Sequence, residues 1–137
     1  MIGLGTAPIG GLYAPVNEET AHATLERAWE LGIRTFDTAP YYGFGLAEQR
    51  VGAFLAEKPR DAITISTKVG RLLSADGAYF DFTFDGALRS LDESLARLGV
   101  DGVDVVLVHD PDDHYEEALS GAFRALARLR EEGAVRA

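Results

Sequence analysis

Val103-Asp104-Val105-Val106-Leu107-Val108-His109 is an almost unbroken apolar run that ends on an imidazole. A run of this kind suits a strand in a parallel sheet, because helices cover both faces and neither has to meet water. The residues before it agree. Leu88, Leu91, Leu95 and Leu98 recur at helical spacing after Thr83, a capping residue, and Gly99 stops that helix just before the strand. Further upstream, residues 62–67 are β-branched and short, which predicts a second strand. Residues 47–56 form a helix that packs through Val51, Phe54 and Leu55, with Pro59 at its exit. Residues 33–36 are a third strand, preceded by a helix that starts at Asn17, turns Ala21, Leu25, Ala28, Trp29 and Leu31 to one side, and ends at Gly32. Ile2-Gly3-Leu4-Gly5 opens the series as a short strand, and a Gly/Pro loop follows it through Pro15. Downstream of His109, residues 115–132 carry Ala118, Ala122, Leu126 and Leu129 at helical spacing, and Gly133 closes that helix.

The pattern is α/β, with four consecutive βα units, and strict alternation implies right-handed crossovers and a parallel sheet. Periodicity alone admits either an open doubly wound sheet or part of a (β/α)8 TIM barrel. A complete barrel takes about 250 residues, so four units would be its first half. Val135-Arg136-Ala137 reads as the beginning of a fifth strand. No linker or low-complexity stretch divides residues 1–137, which read as one domain, a single N-terminal half-barrel.

Composition bounds the function. The chain of 137 residues is 47% hydrophobic and 26% charged, enough apolar content for one core. Its net charge of -9 comes without a basic cluster, which argues against nucleic acid as a partner, since phosphate neutralisation needs a concentrated positive face. Cysteine is absent, which removes disulfides, thiolate nucleophiles and sulfur metal sites. Met1-Ile2-Gly3-Leu4-Gly5 is too short for a signal peptide and no apolar run approaches membrane-spanning length, so the expectation is a soluble, cytoplasmic protein.

The candidate chemistry sits at strand ends. Asp37, Lys68 and His109 each follow one of three successive strands, and in a parallel sheet such positions converge on the carboxyl edge, where α/β proteins place their sites. Tyr42 lies five residues after Asp37, within reach of the same edge; Tyr41 competes with it, and spacing does not decide between them. Each residue alone has an ordinary structural reading: a turn cap, a solvated charge, a half-buried aromatic, a satisfied histidine. Together they suit proton transfer at a carbonyl or alcohol oxygen while a hydride moves at carbon, because an ammonium beside a phenol favours the phenolate and a carboxylate can hold the ammonium in place. Other signals are weaker. Gly3-Leu4-Gly5-Thr6-Ala7-Pro8 lacks the third glycine and the helix of a dinucleotide fingerprint. His109, Asp110, Asp112, Asp113 and His114 read as an acidic loop and helix start rather than a metal site, and His22 as a surface residue.

Phe36-Asp37-Thr38-Ala39-Pro40-Tyr41-Tyr42-Gly43 with Glu48, then Ser66-Thr67-Lys68-Val69-Gly70, then Val108-His109, resemble in order the signatures of the aldo-keto reductases. The resemblance runs the length of the chain. It implies a (β/α)8 barrel that uses NADP or NAD, with a catalytic tetrad falling on Asp37, Tyr42, Lys68 and His109. It also selects Tyr42 over Tyr41, since the family's tyrosine immediately precedes the glycine. Thr6 and Asp37 match positions near the nicotinamide end of the cofactor. Val69-Gly70-Arg71-Leu72 and His109-Asp110-Pro111-Asp112-Asp113 are similar to the branch of aldose, fucose and pyridoxal dehydrogenases, which implies a small sugar or aldehyde as substrate. Family members continue through four more strands that carry most cofactor contacts. Two expectations follow: an oxidoreductase or its catalytic half, and, as the alternative, a truncated noncatalytic half-barrel that self-associates or is complemented by a second half. Unpaired edges at the first and fourth strands, with Val103, Val105 and Leu107 short of partners, would drive that association.

Overall fold

The computed structural model describes residues 2–137; Met1 lies outside them. Along the chain run β1 (Leu4–Gly5), α1 (Glu18–Glu30), β2 (Thr35–Asp37), α2 (Leu46–Leu55), β3 (Thr64–Val69), β4 (Arg71–Ser74), β5 (Gly77–Phe80), α3 (Phe84–Leu98), β6 (Val105–Val108), α4 (Tyr115–Ser120) and α5 (Ala122–Glu131). β1, β2, β3 and β6 form one parallel sheet in that spatial order, and β4 and β5 form a separate antiparallel hairpin. Each new strand of the main sheet is added on the same side as the last. That sequential order is the progression of a barrel; a doubly wound sheet reverses direction at a switch point.

Register fixes which side chains share a face. Gly5 pairs with Asp37, Asp37 with Ser66, and Ser66 with Val105, while Lys68 pairs with Leu107. Side chains alternate along a strand, so Asp37, Ser66, Lys68 and Leu107 project from one face. Phe36, Ile65 and Val106 project from the other and are buried in the core with Leu25, Val51, Phe54, Leu91 and Leu98. The helices start where the chain supplies caps: Asn17 accepts the Thr20 N–H at 2.8 Å and Thr83 accepts the Gly86 N–H at 3.0 Å. Gly99 ends α3 in a left-handed conformation, as its position in the sequence predicts.

Three features differ from the sequence reading. The stretch after Lys68 is a hairpin rather than a loop, closed by Ala75-Asp76 and Gly77, whose φ of 132° only glycine adopts readily. The fourth helix is two helices. At the break the Phe82 carbonyl accepts the Ala122 N–H at 2.7 Å, taking the donor that an unbroken helix would spend on its own preceding turn, and the approach is so close that a Cβ on Gly121 would lie 2.2 Å from that oxygen. Asp37 and Lys68 lie inside β2 and β3 rather than beyond their ends, because both strands run further than their β-branched residues suggest.

The edge strands also differ from expectation. Val103 is 4% exposed and belongs to the core, so it is not short of partners. Val105 is half-buried, and Leu107 is 46% exposed on the face it shares with Lys68. Beside β6, the Arg136 and Ala137 N–H groups donate to the Asp104 carbonyl and the Val106 N–H donates to Ala137, so a fifth strand has begun to pair.

Candidate active site

β1 and β2 position the first acid. The Thr6 N–H and hydroxyl both donate to the Asp37 carbonyl at 2.9 Å, and Thr6 itself is fully buried. Its hydroxyl is thus committed to the Asp37 backbone and holds that residue in place. The Asp37 carboxylate accepts from the Ser66 hydroxyl on one oxygen and from the Lys68 ammonium on the other, both at 2.7 Å. Lys68 also donates to the Thr38 carbonyl at 3.0 Å. The Lys68 side chain is 13% exposed and that of Asp37 36%, so the acid is the more open member of the pair.

The loop from Thr38 to Gly45 delivers the phenols. It is pressed against the short 3-10 turn after β1 so tightly that a Cβ on Gly43, at φ 66°, would lie 1.9 Å from the Gly10 carbonyl oxygen. Only two facing glycines allow that approach, and it sets where Tyr42, the residue before Gly43, stands. The Lys68 ammonium lies 4.8 Å from the centre of the Tyr42 ring. Tyr41 instead carries the Arg71 guanidinium 3.4 Å above its ring. The two tyrosines, left open by spacing, are therefore separated by their cations.

His109 closes the group. Its ring meets Tyr42 edge-on at 6.0 Å and Tyr41 at 6.4 Å, and its backbone N–H donates to the Val69 carbonyl at 2.9 Å. Burial pushes the His109 imidazole below its ordinary range; the Asp110 carboxylate opposes the shift, Lys68 and Arg71 add to it, and Asp37 opposes it. A neutral imidazole is the form that donates one hydrogen bond without carrying charge. Asp37, Tyr42, Lys68 and His109, the four residues picked out in the sequence, meet at one edge of the sheet.

Beneath them lie supports whose role the sequence did not disclose: Glu48 entered only within the family resemblance, and Asp104 only as part of an apolar run. Glu48 on α2 is fully buried, accepting from the Thr67 hydroxyl at 2.7 Å and the Arg97 guanidinium at 2.6 Å, so it ties β3 to α3 immediately below Lys68. Asp104 is 9% exposed and accepts from the Ile65 N–H at 2.9 Å and from Arg60 at 3.0 Å, which sets β3 against β6 at the opposite end. A carboxylate inside an apolar pattern is the signal for both; the identity of the partner is not in the pattern.

The stretch from Asp112 to His114 is a 3-10 turn leading into α4, as expected of a helix start. His22 is on the surface, with Glu26 and Glu57 near enough for their ligand atoms to lie within 4.8 Å of one another. The Lys58 ammonium already sits 2.7 Å from Glu26 there. No helix among the described residues is long and apolar enough to cross a membrane.

Comparison with known proteins agrees with this geometry. The family model described as "Aldo/keto reductase family" matches residues 1–137. D-threo-aldose 1-dehydrogenase from a Pseudomonas species is 43% identical over 99% of this chain and 48% of its own length. Pyridoxal 4-dehydrogenase from Microbacterium luteolum is 42% identical, over 98% of this chain and 49% of its own length. The solved holo form of an aldo-keto reductase from Bacillus halodurans superposes with a TM-score of 0.80 at 30% identity, covering 98% of this chain and 43% of that one. The fold is the first half of a (β/α)8 barrel, and the chain spans about half the length of the curated relatives it matches. On the family match, the shared sequence and the shared fold together, the chain belongs to the aldo/keto reductase family of oxidoreductases.

Proposed function

We propose that this chain carries the proton-transfer half of an NAD(P)-dependent oxidoreductase, which interconverts a carbonyl and an alcohol on an aldose or other aldehyde with Tyr42 as proton donor and acceptor. The observation that carries the reading is the meeting of Tyr42 with both Lys68, 4.8 Å from its ring centre, and His109, 6.0 Å away. In reduction the phenol gives its proton to the carbonyl oxygen; in oxidation it takes the proton back from the alcohol. The Lys68 ammonium stabilises the negative charge that gathers on the phenol oxygen as the proton leaves, and Asp37 holds that ammonium in place. Neutral His109 donates to the same substrate oxygen and orients it.

The residues fit the nicotinamide end of a dinucleotide. Asp37 keeps open carboxylate surface that can accept from a ribose hydroxyl, beside the Lys68 and Tyr42 pair. When bound, NADP or NAD supplies or takes the hydride. The cations at this edge, Lys68 and Arg71, are each engaged by a carboxylate, so the phosphates need donors from elsewhere. We place those donors in a second half-barrel, reached by self-association or by a complementary half. The support is the half-length match to the relatives, together with Leu107 lying 46% exposed on the face that a closed barrel turns inward. The setting is the cytoplasm, where small sugar or aldehyde substrates and nicotinamide cofactors meet.

The test is an assay of this chain with and without the second half of the D-threo-aldose dehydrogenase, confirmed as a complex by sedimentation. NAD(P)-linked oxidation of an aldose by the complex, abolished by Tyr42→Phe, is the expected result. A well-formed complex whose turnover survives Tyr42→Phe contradicts the reading.

A further inference from the structure

Asp110 sits in an uncommon backbone conformation. Its φ is 46°, in the left-handed region, although it is not glycine and stands directly before Pro111, where the preceding residue prefers extended geometry. Strain of this kind collects at functional sites. Two side chains show what the conformation gains. The Asp110 carboxylate lies 3.6 Å from His109 Nε2, and it accepts from the Arg71 guanidinium at 3.1 Å. Arg71 is in turn laid flat on Tyr41 at 3.4 Å and is 21% exposed, so its fork has little freedom to swing. Tyr41, Arg71 and Asp110 form a strut from the Tyr41-Tyr42 loop, across the β4 strand, to the residue after the imidazole.

The other side of the ring makes this strut decisive. His109 Nδ1 is buried and has no hydrogen-bond partner in the structure. A histidine's tautomer is set by the hydrogen bonds of its two nitrogens, often by a carbonyl or carboxylate on Nδ1. Here Nδ1 leaves the choice open, and it falls to whatever faces Nε2. A carboxylate facing Nε2 favours the proton on that nitrogen, because the N–H dipole then points at negative charge. The other charged groups around the ring are Lys68, Arg71 and Asp37; the two cations oppose a second proton, which leaves the ring neutral with one N–H to place.

We propose that Asp110, braced by Arg71, is a positioning residue that keeps the single proton of His109 on Nε2, so that the imidazole can donate to a substrate oxygen. Neither residue touches the reacting atoms. The proposal rests on the reading of His109 as the donor to that oxygen, and its test makes no use of turnover.

The test is the nitrogen NMR spectrum of the 15N-histidine-labelled chain at alkaline pH, with His109 assigned against His22 and His114 through His109→Asn. The native chain is expected to show a protonated Nε2 and a pyridine-like Nδ1. Asp110→Gly accepts the positive φ without strain and removes the carboxylate; both nitrogen shifts should then move toward the average of two exchanging tautomers. Asp110→Asn, which keeps a neutral acceptor in a residue tolerant of that backbone, should move them by a smaller amount in the same direction. A native spectrum with the proton on Nδ1 overturns the proposal, as do unchanged His109 shifts in Asp110→Gly when the remaining backbone spectrum is preserved. A failure of the catalytic reading would show instead as turnover that survives Tyr42→Phe, which leaves the tautomer result standing.

Discussion

The Lys68 ammonium lies 2.7 Å from Asp37 Oδ2, across two neighbouring strands in which Asp37 pairs with Ser66, two residues before Lys68. This diagonal is within reach only because both residues project from the same face, and it makes the acid a structural partner as well as a candidate catalytic group. Removing the acid therefore has two readable effects. Asp37→Asn should lower stability by about 1.5–3 kcal/mol, the range for a hydrogen bond to a charged group, and should reduce turnover in the active assembly. Urea unfolding and steady-state kinetics check the two separately. Unchanged stability would mean that the ion pair is not formed in solution.

Glu48 supports a second prediction. Its carboxylate is fully buried between Thr67 and Arg97. Glu48→Ala leaves Arg97, whose side chain is 17% exposed, with only the looser Glu93 carboxylate at 3.9 Å and the Ser94 hydroxyl, and should cost about 3–5 kcal/mol. Replacing both, Glu48→Met with Arg97→Met, should cost much less, because no charge is then stranded. Denaturant melts of the single and double variants give the comparison.

The depressed His109 sets a pH dependence. In the unfolded chain the imidazole takes its proton near its ordinary value of 6.5, while in the folded chain burial delays it to lower pH. Between those two points the unfolded state binds more protons, so stability rises with pH and is lost as pH falls through the window. Thermal midpoints measured from pH ~8 downward through the ordinary histidine range should fall, and His109→Asn should flatten that part of the curve. An equally steep fall in the variant would assign the effect to other groups.

Association is the fourth expectation. Leu107 is 46% exposed, and β1 pairs on one side only among the described strands. Edge strands with unpaired groups and apolar neighbours favour pairing with another chain. Light scattering at micromolar concentration should report a dimer or larger species, and Leu107→Lys should shift it toward monomer. A stable native monomer would show that this face tolerates water.

Much of this molecule is legible in its sequence because each βα unit carries its own signals. Asn17, Thr83 and Gly99 mark helix ends without help from distant residues, and Asp37, Lys68 and His109 are found by counting outward from apolar runs. The hairpin is a different case. Asp76-Gly77 is a strong local turn signal, but the flanking residues mix aromatic, acidic and glycine positions and do not alternate cleanly. The break at Gly121 is not legible at all, since its cause is the Phe82 carbonyl, brought there by the packing of the chain. The same is true of Glu48 with Arg97 and Asp104 with Arg60: the buried acid is visible in the pattern, while its partner is selected by tertiary structure.

Tyr42, rather than its neighbour Tyr41, is the proposed carrier of the proton. The most direct measurement is single-turnover kinetics of Tyr42→Phe and Tyr41→Phe in the assembled, active form, with cofactor affinity determined in parallel. The predicted result is a loss in the chemical step of about 10²–10⁴-fold for Tyr42→Phe, the usual contribution of general acid–base catalysis, with cofactor affinity little changed and Tyr41→Phe far milder. Equal losses from the two substitutions, or a Tyr42→Phe variant that turns over normally, would contradict the assignment.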